Sequence, residues 1–188
     1  MGDGGALSGA SRLLLSRGHP PSPRTHRFLD SSNLFLDVSK PDVKSEAIED
    51  YAKAIYAISR ERDGLVLNGE VAQRLDVAPA TATSMLKRLA GLGLVDYMPY
   101  KGVSLTAAGE KVALEVIRHH RLIEAYLSEA LGMPADRVHE EAEVLEHYIS
   151  EDLELLIAAK LGEPSHDPHG TPIPGPDLSP PLGEGGSR

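Results

Sequence analysis

The chain of 188 residues contains no cysteine. That absence excludes disulfide frameworks, thiolate zinc fingers and cysteine nucleophiles, and it suits a reducing compartment. Long apolar runs are missing too. Nothing approaches the roughly 20 residues of a membrane-spanning helix, and Leu13 to Leu15 is too short for a signal-peptide core. A cytoplasmic protein without a membrane partner is expected. Basic residues are in deficit, with 19 Lys and Arg against 28 Asp and Glu and a net charge of −9, which in an evenly charged chain would argue against nucleic acid. The charge is uneven: residues 111 to 163 hold five basic and twelve acidic residues, residues 41 to 110 eight and ten. From Ala78 to Leu105, Lys87, Arg88 and Lys101 face a single acidic residue, Asp96, which makes that stretch locally cationic.

Punctuation divides the chain. Residues 1 to 41 are rich in Gly, Ser, Pro and Arg and show no sustained periodicity, so they read as a disordered extension. Residues 164 to 188 end in PGPDLSPPLGEGGSR and read as a Pro/Gly-rich tail too poor in apolar residues to fold alone. Between them, residues 42 to 106 and 107 to 163 can each supply a small core.

In the first of these, Ser45 can cap a helix whose Ile48, Tyr51, Ile55 and Ile58 recur at helical spacing, with Gly64 at its end. Asn68 is placed to cap a brief second helix through Leu75, and Pro79 suits the first position of a third. That third helix, PATATSMLKRLAGLG, turns Ala82, Leu86 and Leu89 inward and presents Thr81, Thr83, Ser84, Lys87 and Arg88. Small hydroxyls beside two cations suit phosphate and groove contacts. The pairs Leu94-Val95 and Val103 to Leu105, joined through Tyr97, Tyr100, Lys101 and Gly102, form a short hairpin. Thr106 then caps a long helix from Ala107 to Leu131. A small helical domain with no DNA role is the plain alternative. The order of helix, helix, helix with exposed hydroxyls and hairpin favours a mainly α, winged helix-turn-helix DNA-binding domain.

The second half carries a different chemistry. Read as one helix, Pro134 to Ser150 (PADRVHEEAEVLEHYIS) sets His139, Glu143, Glu146 and His147 on one stripe. Val138, Ala142, Leu145 and Ile149 repeat on a neighbouring stripe, so the polar set lies at the edge of a core. The preceding helix adds His120 and Glu124, one turn apart, with His120 continuing the inward series Val112, Val116 and Ile117. Each of these residues alone is most simply a solvated helix position. Together their carboxylates repel, and imidazole with carboxylate on two facing helices is a donor set for one or two divalent cations.

These residues sit within a larger pattern. EDYAKAIYAI at 49 to 58, VAQRLDVAPATATSMLKRLAGLGLV at 71 to 95, LTAAGEKVA at 105 to 113, HHRLIEAYL at 119 to 127, VHEEAEVLEH at 138 to 147 and PIPG at 172 to 175 resemble the diphtheria-toxin-repressor family of metal-dependent transcriptional regulators. The resemblance covers roughly Val43 to Pro176. It implies a winged-helix DNA-binding domain followed by a helical metal-binding and dimerisation domain. It also implies a homodimeric repressor of metal-homeostasis genes on double-stranded operator DNA, activated by Mn(II) or Fe(II). By the same resemblance, Asp50, Glu143, Glu146 and His147 correspond to a primary metal site, and His120, Glu124 and His139 to the ancillary site of the iron-type branch. Ala78, Ala80 and Ser84 correspond to positions that approach bases. Carboxylates at Asp50 and Glu143, where iron-type members carry thioether and thiolate, make Mn(II) the expected ion and Fe(II) the alternative. Lys53 departs from the manganese-type pattern, which often has another carboxylate there. No counterpart of the SH3-like third domain of longer members is expected, nor any ligand from it.

Two other function classes fit parts of the pattern. A di-metal carboxylate enzyme also draws glutamates and histidines from facing helices, but it pairs Glu-x-x-His motifs. Here the residue three after Glu143 is Glu146 and three after Glu124 is Leu127, so no enzyme is expected. A winged-helix repressor sensing a small organic ligand would leave the acidic stripe structural, and dependence of DNA binding on metal separates it from the main reading.

Overall fold

The computed structural model describes residues 45 to 61 and 64 to 181. The extension expected over residues 1 to 41 lies outside them. Six helices and one hairpin follow in the order α1 (Glu46–Glu61), α2 (Asn68–Arg74), α3 (Pro79–Gly91), β1 (Val95–Met98), β2 (Gly102–Leu105), α4 (Ala107–Glu129), α5 (Ala135–Leu145) and α6 (Glu151–Leu161). No described helix is long and apolar enough to cross a membrane.

The first core forms where the apolar periodicity places it. Ile48, Tyr51, Ile55 and Ile58 of α1 are buried with Val71 of α2, Leu86 and Leu89 of α3, Leu94, Val103 and Val112 to Leu114 of α4. The hairpin pairs Val95 with Leu105 and Tyr97 with Val103 in antiparallel register. Val66 adds a bridge to Val103 through two backbone hydrogen bonds of 2.9 and 2.8 Å, so the wing is rooted in the segment between α1 and α2. Gly102 is needed at that root. Its φ is +135°, and a Cβ there would stand 2.6 Å from the Val66 carbonyl oxygen.

Two expected caps differ. Ser45 does bound α1, its carbonyl accepting from the Ile48 and Glu49 amides, but its buried hydroxyl has no hydrogen-bond partner among the described residues. Asn68 is the first residue of α2 rather than its cap. Its amide instead donates to Thr83 Oγ1 at 3.2 Å and Tyr97 Oη at 3.1 Å, tying α2 to α3 and the wing. Pro79 begins α3, and the Thr106 hydroxyl accepts from the Gly109 amide at the start of α4, both as expected.

Gly109 also sets how closely α4 approaches the wing. A Cβ built on it would meet the Leu94 carbonyl oxygen at 1.9 Å. Gly109→Ala is therefore expected to lower stability by about 3 kcal/mol, as overpacked sites do. A urea melt reads this directly, and an unchanged midpoint would mean that the Leu94 carbonyl has room to retreat.

The second half departs from the single helix expected over Pro134 to Ser150. α5 ends at Leu145, a turn follows, and Ser150 caps α6 by accepting from the Leu153 amide. Its hydroxyl, acidic residues at Glu151, Asp152 and Glu154, and Gly162 in the left-handed region bound a helix that the sequence reading did not place. Two small cores hold this half. Ile123 and Leu127 of α4 pack on Val138 and Ala142 of α5, while Leu122 packs on Ile157, Ala158 and Ile173. The Pro/Gly-rich segment is thus partly built in: Ile173 and Pro181 are buried, and the Arg118 guanidinium donates to the Pro174 carbonyl at 2.7 Å.

Candidate metal centre and nucleic-acid interface

The proposed ligands sort into three groups rather than two. Asp50, on α1, meets Glu146 and His147, in the turn that ends α5, and one donor atom from each lies within 4.8 Å of the others. Helical backbone at Glu146 (φ −57°, ψ −28°) carries the stripe one residue past α5. His147 Nε2 faces Asp50 Oδ1 at 3.2 Å and Glu146 Oε1 at 3.4 Å. Its other nitrogen donates to Glu49 Oε2 at 2.6 Å, fixing the ring so that Nε2 points at the carboxylates. Glu49 was not among the sequence candidates; its signal was adjacency to Asp50. Burial works against charging the His147 ring. Hydrogen bonds to Asp50 and Glu49 and the negative charges of Glu146 and Asp50 outweigh that penalty and push its pKa up to about 10.

Glu143, expected in this first group, falls in the second with His120 and His139. The cause is Lys53. Its ammonium donates to Glu143 Oε1 at 2.9 Å and to both oxygens of Glu146 at 3.0 and 2.9 Å, with His120 Nδ1 at 3.5 Å. A side chain of this protein thus lies between the two groups as a fixed cation. Glu146 is 1% exposed, and its carboxylate also lies 2.6 Å from His120 Nδ1. Burial opposes a charged His120 ring, but hydrogen bonds to Glu124 and Glu146 raise its pKa. Burial likewise opposes ionisation of Glu143, and the Lys53 hydrogen bond and charge prevail, holding it below the usual carboxylate range.

Glu124 belongs to a third group, with Asp167 and His169. Its Oε1 lies 3.1 Å from both His120 Nε2 and His139 Nδ1, so it also borders the second. Further support comes from residues absent from the sequence reading. His119 Nδ1 donates to the Glu146 carbonyl at 3.1 Å, and its Nε2 faces Glu154 Oε2 at 3.1 Å. Arg118 Nε donates to the other oxygen of Glu154 at 2.5 Å. Glu154 of α6 therefore braces the turn that carries Glu146 and His147.

At the other end, α3 presents a distinct surface. Ala78, Ala80, Thr81, Ser84, Lys87 and Arg88 are exposed, as is Lys101 beside the wing tip at Tyr100. Thr83 differs from the expectation. It is half-buried, and its hydroxyl donates to the Pro79 carbonyl at 2.9 Å and accepts from Asn68, so it holds the first turn of α3 in place.

Comparison with known proteins supplies the family. Residues 44 to 103 match the family model described as the N-terminal DNA-binding domain of iron-dependent repressors, and residues 106 to 175 match their metal-binding and dimerisation domain. The transcriptional regulator MntR of Escherichia coli O157:H7 is 39% identical over 123 residues, covering 65% of this chain and 77% of that protein. The iron-dependent repressor IdeR of Mycobacterium tuberculosis H37Rv is 35% identical over 131 residues, covering 69% of this chain and 56% of that one. Among solved structures, a manganese-dependent transcriptional repressor in complex with manganese superposes with a TM-score of 0.64 at 44% identity, covering 69% of this chain and 59% of that chain. ScaR with bound Zn(II) gives 0.60 at 37% identity, covering 68% and 59%. The match thus spans 56 to 59% of IdeR and of the two solved repressors, and 77% of MntR. With matches to both domains in the same order, the chain belongs to the iron-dependent repressor family of metal-dependent transcriptional regulators.

Proposed function

We propose that this chain is a cytoplasmic Mn(II)-activated repressor of metal-homeostasis genes that binds double-stranded operator DNA as a homodimer, with Fe(II) as the alternative activator. One observation carries the reading. Asp50 belongs to α1, packed in the core beneath the α3 surface, whereas Glu146 and His147 belong to the second half, and their donor atoms converge. The donors fit the ion: two carboxylate oxygens and one imidazole nitrogen form a hard set suited to Mn(II), and Glu49 orients the imidazole from outside. Lys53 on Glu146 and His147 on Glu49 already tie α1 to the turn after α5. A divalent cation bound there would add shared coordination of Asp50, Glu146 and His147 to those ties. Asp50 and Glu146 therefore set the orientation of the α3 surface relative to the dimerisation half, and two copies of α3 meet successive major grooves about 34 Å apart only in the right orientation.

Supporting surfaces are present for both partners. Leu153, Leu155 and Leu156 on α6 are 45, 58 and 68% exposed, an apolar face of the kind a second copy covers. The α3 face offers Lys87 and Arg88 to phosphates, and Ala78, Ala80 and Ser84 to base edges. Anaerobic titration of Mn(II), Fe(II) and Zn(II) against operator-containing genomic fragments, with metal analysis of the bound species, tests the proposal. DNA binding that is equally tight with and without metal would sink it in favour of an organic-ligand sensor.

Arg88→Ala is expected to weaken specific and random DNA alike and to flatten the slope of log affinity against log salt by about 0.9, the share of one phosphate contact on B-DNA. Anisotropy titrations across a salt series read the slope. An unchanged slope would place Arg88 off the DNA.

A further inference from the structure

The tip of the wing carries a residue that the reading of α3 leaves out. The Lys101 amide donates to the Met98 carbonyl at 3.0 Å, closing a four-residue turn with Pro99 second and Tyr100 third. At that third position φ is +64°, where a bulky side chain crowds the backbone and glycine or asparagine is the usual choice. Tyrosine is the costly option. Packing does not compensate, because Tyr100 is 106% exposed and its ring rests on nothing among the described residues. A strained, unpacked aromatic at the end of an anchored hairpin has no explanation within the fold itself.

The attitude of the wing is fixed by its own contacts. Asn68 Nδ2 donates both to Thr83 Oγ1 on α3 and to Tyr97 Oη on β1. Val66 roots the other strand through its two backbone bonds to Val103. The hairpin therefore stands beside the end of α3 that carries Ala78, Ala80 and Ser84. With α3 in a major groove about 12 Å wide, a hairpin so placed crosses the adjoining phosphates, and the minor groove beyond, about 6 Å wide, admits side chains from a turn but not a two-stranded ribbon. Met98, Pro99, Tyr100 and Lys101 are all exposed at that turn. Lys101 brings a cation, which a narrow minor groove attracts, and Tyr100 an apolar face with a hydrogen-bonding tip.

We propose that the Tyr100 ring enters the minor groove beside the bases read by α3 and lies against the deoxyribose wall, so that the wing lengthens each half-site. This rests on the operator binding proposed above. It adds a contact made by a neutral residue, unlike the ionic contacts of Lys87 and Arg88.

The shortest genomic fragment that the full chain binds in the presence of Mn(II) is the probe. Tyr100→Gly is expected to lower affinity for it about 10-fold. The same substitution is expected to raise the folding constant roughly threefold, because the turn receives the residue its conformation prefers. Tyr100→Phe should bind like wild type, since the ring remains. Both variants should keep the wild-type salt slope, whereas Lys101→Ala should flatten it by about 0.9. Hydroxyl radicals attack deoxyribose from the minor groove, so footprinting reads the contact directly. Protection beside the α3 segment is expected in wild type and Tyr100→Phe, and its loss in Tyr100→Gly with the rest of the footprint retained. Wild-type affinity and footprint in Tyr100→Gly, or a lowered urea midpoint that assigns the tyrosine to the fold, overturn the proposal while operator binding stands. Failure of wild type to bind any fragment overturns both.

Discussion

His147→Ala is expected to abolish metal-dependent DNA binding while the chain stays folded, with Mn(II) affinity at this centre lowered by roughly 100-fold or more. The scale follows from metal chemistry: removing even an outer hydrogen-bond partner of a ligand costs about 10- to 100-fold, and loss of the ligand itself stands at or above that range. Glu49→Gln provides the graded control. It leaves Nε2 in place and weakens only its orientation through the 2.6 Å contact at Nδ1, so a loss of about 10-fold is expected. Anaerobic calorimetry gives the affinities, and anisotropy on operator DNA gives the functional consequence. Wild-type Mn(II) affinity in His147→Ala would remove the Asp50, Glu146 and His147 centre from consideration. Folding should survive, because the first core contains neither residue.

What was legible in the sequence was whatever obeys a local period or a local cap. The buried positions of α1 and α3, Pro79 at a helix start, Thr106 as a cap and the hairpin all follow from such rules, and the structure contains them. The exposed face of α3, proposed above to meet DNA, was legible for the same reason, since Ser84, Lys87 and Arg88 are what remains outside when Ala82, Leu86 and Leu89 turn inward. Thr83 escaped because its half-burial comes from Asn68 on a different helix. The stripe of candidate ligands was visible as far as helical spacing reaches. That spacing could not show Lys53, 90 residues away from Glu143 in sequence, contacting both Glu143 and Glu146.

The break between α5 and α6 was missed for a physical reason. The apolar series from Val138 runs on to Ile149 without interruption, while Ser150 signals a new start only through its own hydroxyl. Asp167 and His169 were missed because no periodicity marks them. Their loop is held by backbone bridges and by arginine hydrogen bonds to Pro172 and Pro174 carbonyls, and a Pro/Gly-rich composition conceals such anchoring.

Lys53→Met tests the feature that most distinguishes this centre within its expected pattern. The ammonium is the fixed counter-charge of Glu146, a carboxylate buried at 1% exposure and contacted through both oxygens. Removing it leaves that charge without its lysine, and breaking a buried pair by deleting one partner is strongly destabilising. Lys53 is itself partly exposed, at 23% of its side chain, so water recovers some of the loss and roughly 2 kcal/mol is expected in the metal-free chain. Metal should then matter more, since a divalent ion supplies charge that Lys53 no longer does. Saturating Mn(II) is expected to raise the melting temperature of Lys53→Met further than that of wild type. Lys53→Glu carries the argument one step on. A carboxylate at this position, beside Glu143, Glu146 and His120, adds a ligand where a cation stood, and one additional Mn(II) per chain is expected by elemental analysis. If Lys53→Met melts like wild type without metal and gains nothing extra from Mn(II), then Lys53 is a surface bystander and the two groups of ligands are not separated by its charge.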